Sequence, residues 1–260
     1  MRKITLLLVL LAALALSACS VTVSDEGIQI NDKGRTTDIR FGEGLVVGSG
    51  KQVTREYELG GFTAVDIANA FRPDISRADS FSIVVTIDDN VVEYLRVDKE
   101  GSTLRVYLES GNSYTFRSDP PTVKITMPAL DRLTFSGAVK GTISGFQSTR
   151  SFSADLSGAS SLKGSIQTGN ARFEVSGASS CVLQGAGQDV TADISGASTL
   201  DLGTFTARNA NVSASGASKA TINASGKLDY ELSGASRLIY AGNPTIGRHD
   251  TSGASSATRQ

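Results

Sequence analysis

The stretch Phe173-Glu174-Val175-Ser176-Gly177-Ala178-Ser179 returns as Ala192-Asp193-Ile194-Ser195-Gly196-Ala197-Ser198, and this recurrence decides the fold. Ser-Gly-Ala begins at Ser136, Ser157, Ser176, Ser195, Ser215, Ser233 and Ser252, at intervals of 21, 19, 19, 20, 18 and 19 residues. Six of these seven copies continue to Ser-Gly-Ala-Ser. A period of this length marks stacked supersecondary units, each burying its apolar side chains against its neighbours. At about 3.3 Å per extended residue one period traces about 60 Å, a plausible circumference for one three-sided coil. The abundance of Gly, Ser and Thr argues against helical repeats.

Alternation around each copy tells inward from outward positions. Phe173 and Val175, Ala192 and Ile194, Val212 and Ala214, and Tyr230 and Leu232 flank the polar residues Glu174, Asp193, Ser213 and Glu231. A period of two of this kind is a half-buried strand. After each corner the same pattern resumes with Leu162, Cys181 and Leu183, Leu200 and Leu202, Ala220 and Ile222, and Leu238 and Tyr240. The expectation is an all-β, right-handed parallel β-helix with coils of about 19 residues, its repeats starting near residue 133. A third, less regular side carries Gly145, Gly164, Gly185, Gly203, Gly226 and Gly242.

Coils stacked at about 4.8 Å leave little room at a shared corner, which suits Gly, and stacked Ser hydroxyls could hydrogen-bond along the column. A repeated Ser nucleophile is excluded because no His or Lys column accompanies it. Two residues before each copy stand Asp155, Glu174, Asp193, Ser213, Glu231 and Asp250. This column has two readings: a solvated charge row that keeps the surface soluble, or a cation ladder centred on Asp155, Glu174 and Asp193. The Gly-Gly-x-Gly-x-Asp pattern of calcium β-rolls is absent. His249 and Thr251 in the last copy, and Arg259 just after it, occupy inward positions and suggest a terminal cap or a frayed end rather than a ligand.

Composition narrows the function. The chain has 260 residues, 40% of them hydrophobic, enough for a sizeable core. A net charge of −1 supplies no basic field for nucleic acid, so no nucleic-acid partner is expected. One His and two Cys cannot build a conventional zinc site or a disulfide framework, so no metal and no cofactor are expected. Cys181 stands where neighbouring copies carry Leu162 and Leu200, and the one His is 68 positions away, so it reads as a small core residue.

The N-terminus is an address. Arg2 and Lys3 precede an apolar run from Ile4 to Leu16, too short to span a bilayer comfortably. The junction Leu16-Ser17-Ala18-Cys19 resembles the bacterial lipobox, which implies cleavage after residue 18 and acylation of Cys19. Multiple acyl chains give stable membrane attachment. Ser20 after the Cys resembles lipoproteins exported to the outer membrane. Residues 19–50, polar and Gly-rich, read as a flexible lipid-anchored linker, with weak strand character at Val21–Val23 and Ile28–Ile30. The remaining domain is then 51–260, tethered to the membrane without spanning it.

Ahead of the repeats, candidate strands are Val53–Leu59, Ala64–Ile67, Phe81–Ile87, Thr103–Leu108 and Val123–Met127, with a short helix around Asn90–Arg96. A solenoid needs its first coil covered, and this β region is expected to form the opening coils and cap.

From about Gly50 onward the chain resembles the bacterial family called putative auto-transporter adhesin, head GIN domain. The resemblance rests on Thr54-Arg55-Glu56 with Gly61-Phe62-Thr63-Ala64-Val65, Thr86-Ile87-Asp88-Asp89-Asn90 and Gly101-Ser102-Thr103-Leu104-Arg105-Val106. It rests also on Val123-Lys124-Ile125-Thr126-Met127-Pro128-Ala129-Leu130 and the Ser-Gly-Ala run. It implies a β-helix-like fold and a place in the envelope or on the cell surface; it carries over no catalytic residue. The leading expectation is a noncatalytic lipid-anchored envelope protein, tethered through Cys19, whose long polar faces bind glycans or other surface components. A polysaccharide lyase or hydrolase, suggested by fold analogy, and a purely structural or regulatory envelope protein are the alternatives. The carboxylates form a repeated column with no singular cluster, which weighs against the enzyme.

Overall fold

The computed structural model describes residues 19–24, 27–32, 35–40, 44–117 and 119–260, and the expected leader at 1–18 lies outside them. Strands β1 (Cys19–Ser24), β2 (Gly27–Asp32) and β3 (Arg35–Arg40) pair antiparallel. Of the stretch expected to be a flexible linker at 19–50, residues 19–40 form this small sheet where described, and the two segments of strand character fall inside β1 and β2.

Ten further elements precede the repeats: β4 (Leu45–Val47), β5 (Gln52–Tyr57), β6 (Ala64–Ile67), β7 (Arg72–Arg77), β8 (Ser82–Asp88), a 3-10 turn (Val92–Tyr94), β9 (Leu95–Glu100), β10 (Thr103–Leu108), β11 (Ser113–Thr115) and β12 (Thr122–Met127). The helix expected at Asn90–Arg96 is reduced to that single turn. Leu95 and Val97 are drawn instead into the antiparallel pair with β10.

The repeats follow as β13 (Arg132–Phe135), β14 (Lys140–Gln147), β15 (Phe152–Leu156), β16 (Ser161–Gln167), β17 (Ala171–Val175) and β18 (Ser180–Ile194). They continue as β19 (Thr199–Ala214), β20 (Lys219–Ala224), β21 (Lys227–Leu232), β22 (Arg237–Gly242), β23 (Thr245–Thr251) and β24 (Ser256–Arg259). Every pairing among them is parallel, and together they form a β-solenoid. Each coil climbs one face, turns at Ser-Gly-Ala-Ser, crosses a second face and returns along a third side. One face is the sheet β9, β10, β6, β13, β15, β17, the ends of β18 and β19, β21 and β23. The other, on the far side of the corner, is β5, β8, β12, β7, β14, β16, the starts of β18 and β19, β20, β22 and β24.

The inward register is as the alternation requires. Leu162, Cys181 and Leu200 are in register and fully buried, and burial pushes the Cys181 thiol up, which makes it an inert core group. Phe152, Phe173 and Phe205 stack edge to face along the axis with centroids 6.3 Å apart at each step. Towards the last coil the burial loosens, and Tyr230, Tyr240, Ile246 and Ala257 are half-buried. His249 and Thr251 lie in register with Tyr230 and Leu232 but are exposed, and among the described residues no coil stacks beyond them. Arg259 folds over this end and donates to Gly242 O and Asn243 Oδ1, each at 3.0 Å.

At the corner the Gly backbone is left-handed, with φ between +70° and +84° in all seven copies. A Cβ at Gly196 would lie 2.5 Å from Gly177 O, so both the torsion and the spacing demand glycine there. The column is tied by Ala N–H donors to the previous Gly carbonyl, as from Ala197 to Gly177 at 2.8 Å. The last Ser of the motif points inward and is buried at Ser160, Ser179, Ser198, Ser218 and Ser236. The hydroxyls do not bond one another: Ser198 Oγ donates to Gly177 O at 3.3 Å, Ser236 Oγ donates to Ala214 O at 3.1 Å, Ser179 Oγ accepts from Ser160 N–H at 3.3 Å, and Ser160 Oγ and Ser218 Oγ are buried without a partner. The hydroxyl relay expected from the sequence is therefore absent among the described residues, and bonds to the coil below take its place only at Ser198 and Ser236.

The cap is not stacked in sequence order. Strands β6 and β7 form a full rung around Asn69, but that rung sits between β10 and β12 on one side and β13 and β14 on the other. Strands β5, β8 and β9 then close the end with antiparallel pairs. Asn69 stands where the repeats have Gly, with φ +72°, and Ala138 N–H donates to its carbonyl at 2.6 Å. Its side-chain Oδ1 accepts from Leu108 N–H at 2.9 Å. The chain below leaves on an excursion to β12, so there is room for a side chain that a glycine corner lacks.

Candidate functional site

Outward residues on the first face fall into two columns. One is Asp66, Thr134, Asp155, Glu174, Asp193, Ser213, Glu231 and Asp250, in unbroken register. The structure thus brings together Asp155, Glu174 and Asp193 on successive coils, and adds Asp66, which the repeat did not reveal. The second column includes Arg132, Ser153, Arg172, Thr191 and Asn211. Arg172 reaches across from it: Nε donates to Glu174 Oε1 at 2.7 Å and a terminal nitrogen to Asp193 Oδ2 at 2.7 Å. The repulsion that a bare ladder would suffer is relieved there by the protein's own guanidinium.

On the cap side of the clamp the acids are less well served. Partial burial, and then the charge of Glu174, raise the Asp155 carboxyl above its ordinary range. Burial raises Asp66 as well, with Arg105 pulling it back and Asp155 adding to the rise. The hydrogen bond to Glu174, followed by the charge of Asp193, holds the Arg172 guanidinium more firmly in its charged form. Among the described residues no three His, Cys, Asp or Glu side chains converge as a metal site.

Two shallow hollows flank Arg172. One of about 380 Å³ is bounded by Asp155, Glu174, Asp193, Ser195 and Ser213. The other, of about 640 Å³, runs over the strand starts past Ser102, Asp131, Arg132, Asn170, Asp189 and Thr191. Asp131 is paired with Arg150 at its rim. Both hollows are open and polar, and neither encloses a carboxyl pair in the way a glycosidase cleft does. Their chemistry suits hydroxyl-rich ligands, which carboxylates, guanidinium and amides can hold by paired hydrogen bonds.

Sequence reasoning missed Arg172. Its signal was present, since position i−2 from Glu174 on a strand shares the same face, but the arginine does not recur there, the neighbouring coils carrying Ser153 and Thr191.

A family model described as "Putative auto-transporter adhesin, head GIN domain" matches residues 61–244. Comparison with curated proteins gives no match. Among solved structures the chain is similar to a putative adhesin from Bacteroides fragilis, at 19% identity and TM-score 0.76, over 83% of this chain and 100% of that one. It is similar to a protein from Parabacteroides distasonis described as a putative lipid binding protein, at 22% identity and TM-score 0.62, over 83% and 99%. A putative adhesin from the same species matches at 14% identity and TM-score 0.66, over 83% and 100%. At these identities the likeness is one of fold. Among the described residues no helix is long and apolar enough to cross a membrane.

Proposed function

The chain belongs to the family described as putative auto-transporter adhesin, head GIN domain, and on that premise we propose a noncatalytic bacterial envelope protein. It is tethered by acylated Cys19, in the outer membrane, and binds glycans or other envelope components along its first face. The observation that carries this reading is the Arg172 clamp between Glu174 and Asp193, set in an open polar surface that repeats every coil. A repeating surface suits repeating ligands, because weak contacts on successive coils add as avidity. The lipid anchor is supported by the Leu16-Ser17-Ala18-Cys19 junction.

A glycan array read together with mass spectrometry of the eluted ligand tests the binding. Intact glycan retained by the wild-type chain and lost in Arg172→Ala is the expected result. Cleaved product would replace the adhesin with an enzyme, and an array with no retained glycan would end the glycan reading. For the anchor, metabolic palmitate should label the wild-type chain and leave Cys19→Ala unlabelled; equal labelling contradicts it.

A further inference from the structure

The second face of the solenoid carries a charge pattern that the ligand reading leaves unused. Six cations point outward from it: Arg72, Lys124, Lys140, Lys163, Lys219 and Arg237. All six are exposed, and among the described residues none of them belongs to an ion pair. The acids that reach solvent on the same face are Glu56, Asp74 and Asp201, Asp88 of β8 being buried; Asp74 accepts from Thr142 Oγ1 at 2.9 Å and Asp201 from Gly203 N–H at 3.0 Å. The first face behaves oppositely. Its acids outnumber its cations, and Arg105 and Arg172 are already engaged with Glu100, Glu174 and Asp193.

Short side chains separate the cations. Ser161, Ser180 and Thr199 lie in register between Lys140 and Lys219, and Val182 is paired with Lys163. The face is thus a continuous sheet about 34 Å long from β12 to β22, with long flexible cations rising above shorter neighbours. A planar anionic surface can meet all six at once, whereas a compact anion meets one or two.

We propose that this second face docks on anionic lipid headgroups, so that the tethered domain lies with its basic side to the membrane and its acidic, Arg172-clamped side free for ligand. The proposal rests on the Cys19 anchor and is independent of the glycan reading. From Cys19 to Leu45 the chain can extend at most about 90 Å, which keeps the domain near the bilayer and makes a weak electrostatic contact effective. Screening confines the attraction to about 8 Å at physiological salt, so the cations act only when the face lies against the headgroups.

Amine acylation of the lipidated full chain on vesicles tests this, with phosphatidylcholine alone compared with phosphatidylcholine plus phosphatidylglycerol. Labelling of Lys124, Lys140, Lys163 and Lys219 should fall by about fivefold or more on the anionic vesicles and recover in about 0.5 M NaCl. Lys99 and Lys227, which lie off this face, should label equally on both. The variant Lys140→Gln, Lys163→Gln, Lys219→Gln and Arg237→Gln changes only exposed positions, and it should return Lys124 to full labelling on anionic vesicles. Vesicle-bound protein with the same labelling on both lipids overturns the docking face while leaving the anchor intact. Protein that floats with neither vesicle overturns the anchor and, with it, this proposal. Equal protection by a soluble polyphosphate without vesicles replaces the membrane with a free polyanion and also overturns it.

Discussion

The corner at Asn69 and the corner at Gly196 do the same job with different residues, and the contrast separates the cap from the repeats. At Gly196 a coil lies directly below, its carbonyl in the place a Cβ would take, and every later corner inherits that restriction. At Asn69 the chain below departs, a side chain fits, and it satisfies the Leu108 amide that a regular coil would have paired. Stacking identical coils imposes identical residues, whereas closing the stack imposes only buried area and satisfied hydrogen bonds.

The largest expected effect lies inside the repeats. Leu200→Ala removes a side chain buried between Cys181 and Ala220 and should cost about 2 to 5 kcal/mol, while outward Asp201→Ala should stay within about 0.5 kcal/mol. Equal shifts of their denaturant midpoints would break the inward register.

Corner glycines should come next. Gly196→Ala adds left-handed strain to a backbone collision and should cost more than about 2 kcal/mol. Gly101 in the cap has φ +59° but nothing within 4 Å of a Cβ, so Gly101→Ala should cost only about 1 kcal/mol. Similar losses in the two variants would show that coil spacing contributes nothing at the corner. At the first corner Asn69→Ala should cost about 1 to 3 kcal/mol, with Asn69→Gly milder because it keeps the torsion and loses only the bond to Leu108. An Asn69→Gly chain as stable as wild type would remove the capping role.

These contrasts also mark how far the sequence was legible. Repeats announced themselves because each coil must match its neighbours at Gly, Ser and the inward aliphatics. The rung β6 to β7 did not, because Ala68-Asn69-Ala70 replaces Ser-Gly-Ala and Pro73 interrupts the strand pattern of β7. Pro73 is tolerated because it lies near the strand start and turns its ring inward over Gly141, where a Cβ would meet Pro73 Cγ at 2.8 Å. Nothing local in the sequence states that residues 64–77 return to lie between 103–127 and 132–147. On the first face, Asp155, Glu174 and Asp193 were legible as a column, while the arginine that joins two of them needed the neighbouring register.

The smallest expected effect concerns that column. Asp155 is raised in the folded state by burial and by Glu174, so the folded chain holds its proton more tightly than the unfolded one. Its contribution to stability is therefore lost as pH rises from the unfolded value of 3.8 through the raised folded value, and stays lost at neutral pH. Asp155→Asn should raise the melting temperature slightly at pH 7, with the gain fading below the unfolded pKa. A gain that grows on acidification would contradict the assigned cause.

The out-of-order cap is the feature that ties both regions into one stack, and a paired-cysteine experiment tests it most directly. Asp66 and Thr134 are register partners on adjacent strands, about 4.8 Å apart, within disulfide reach, although 68 residues separate them in the chain. Asp66 and Asp155 lie two strands apart, at about 9.6 Å and out of reach. Under mild oxidation the Asp66→Cys, Thr134→Cys chain should form a crosslink in high yield, and the Asp66→Cys, Asp155→Cys chain should not. Cys181 is buried and both chains carry Cys19→Ser, so neither cysteine competes. Absence of the first crosslink together with formation of the second would mean that β6 does not lie beneath β13, and the stack as described would be wrong.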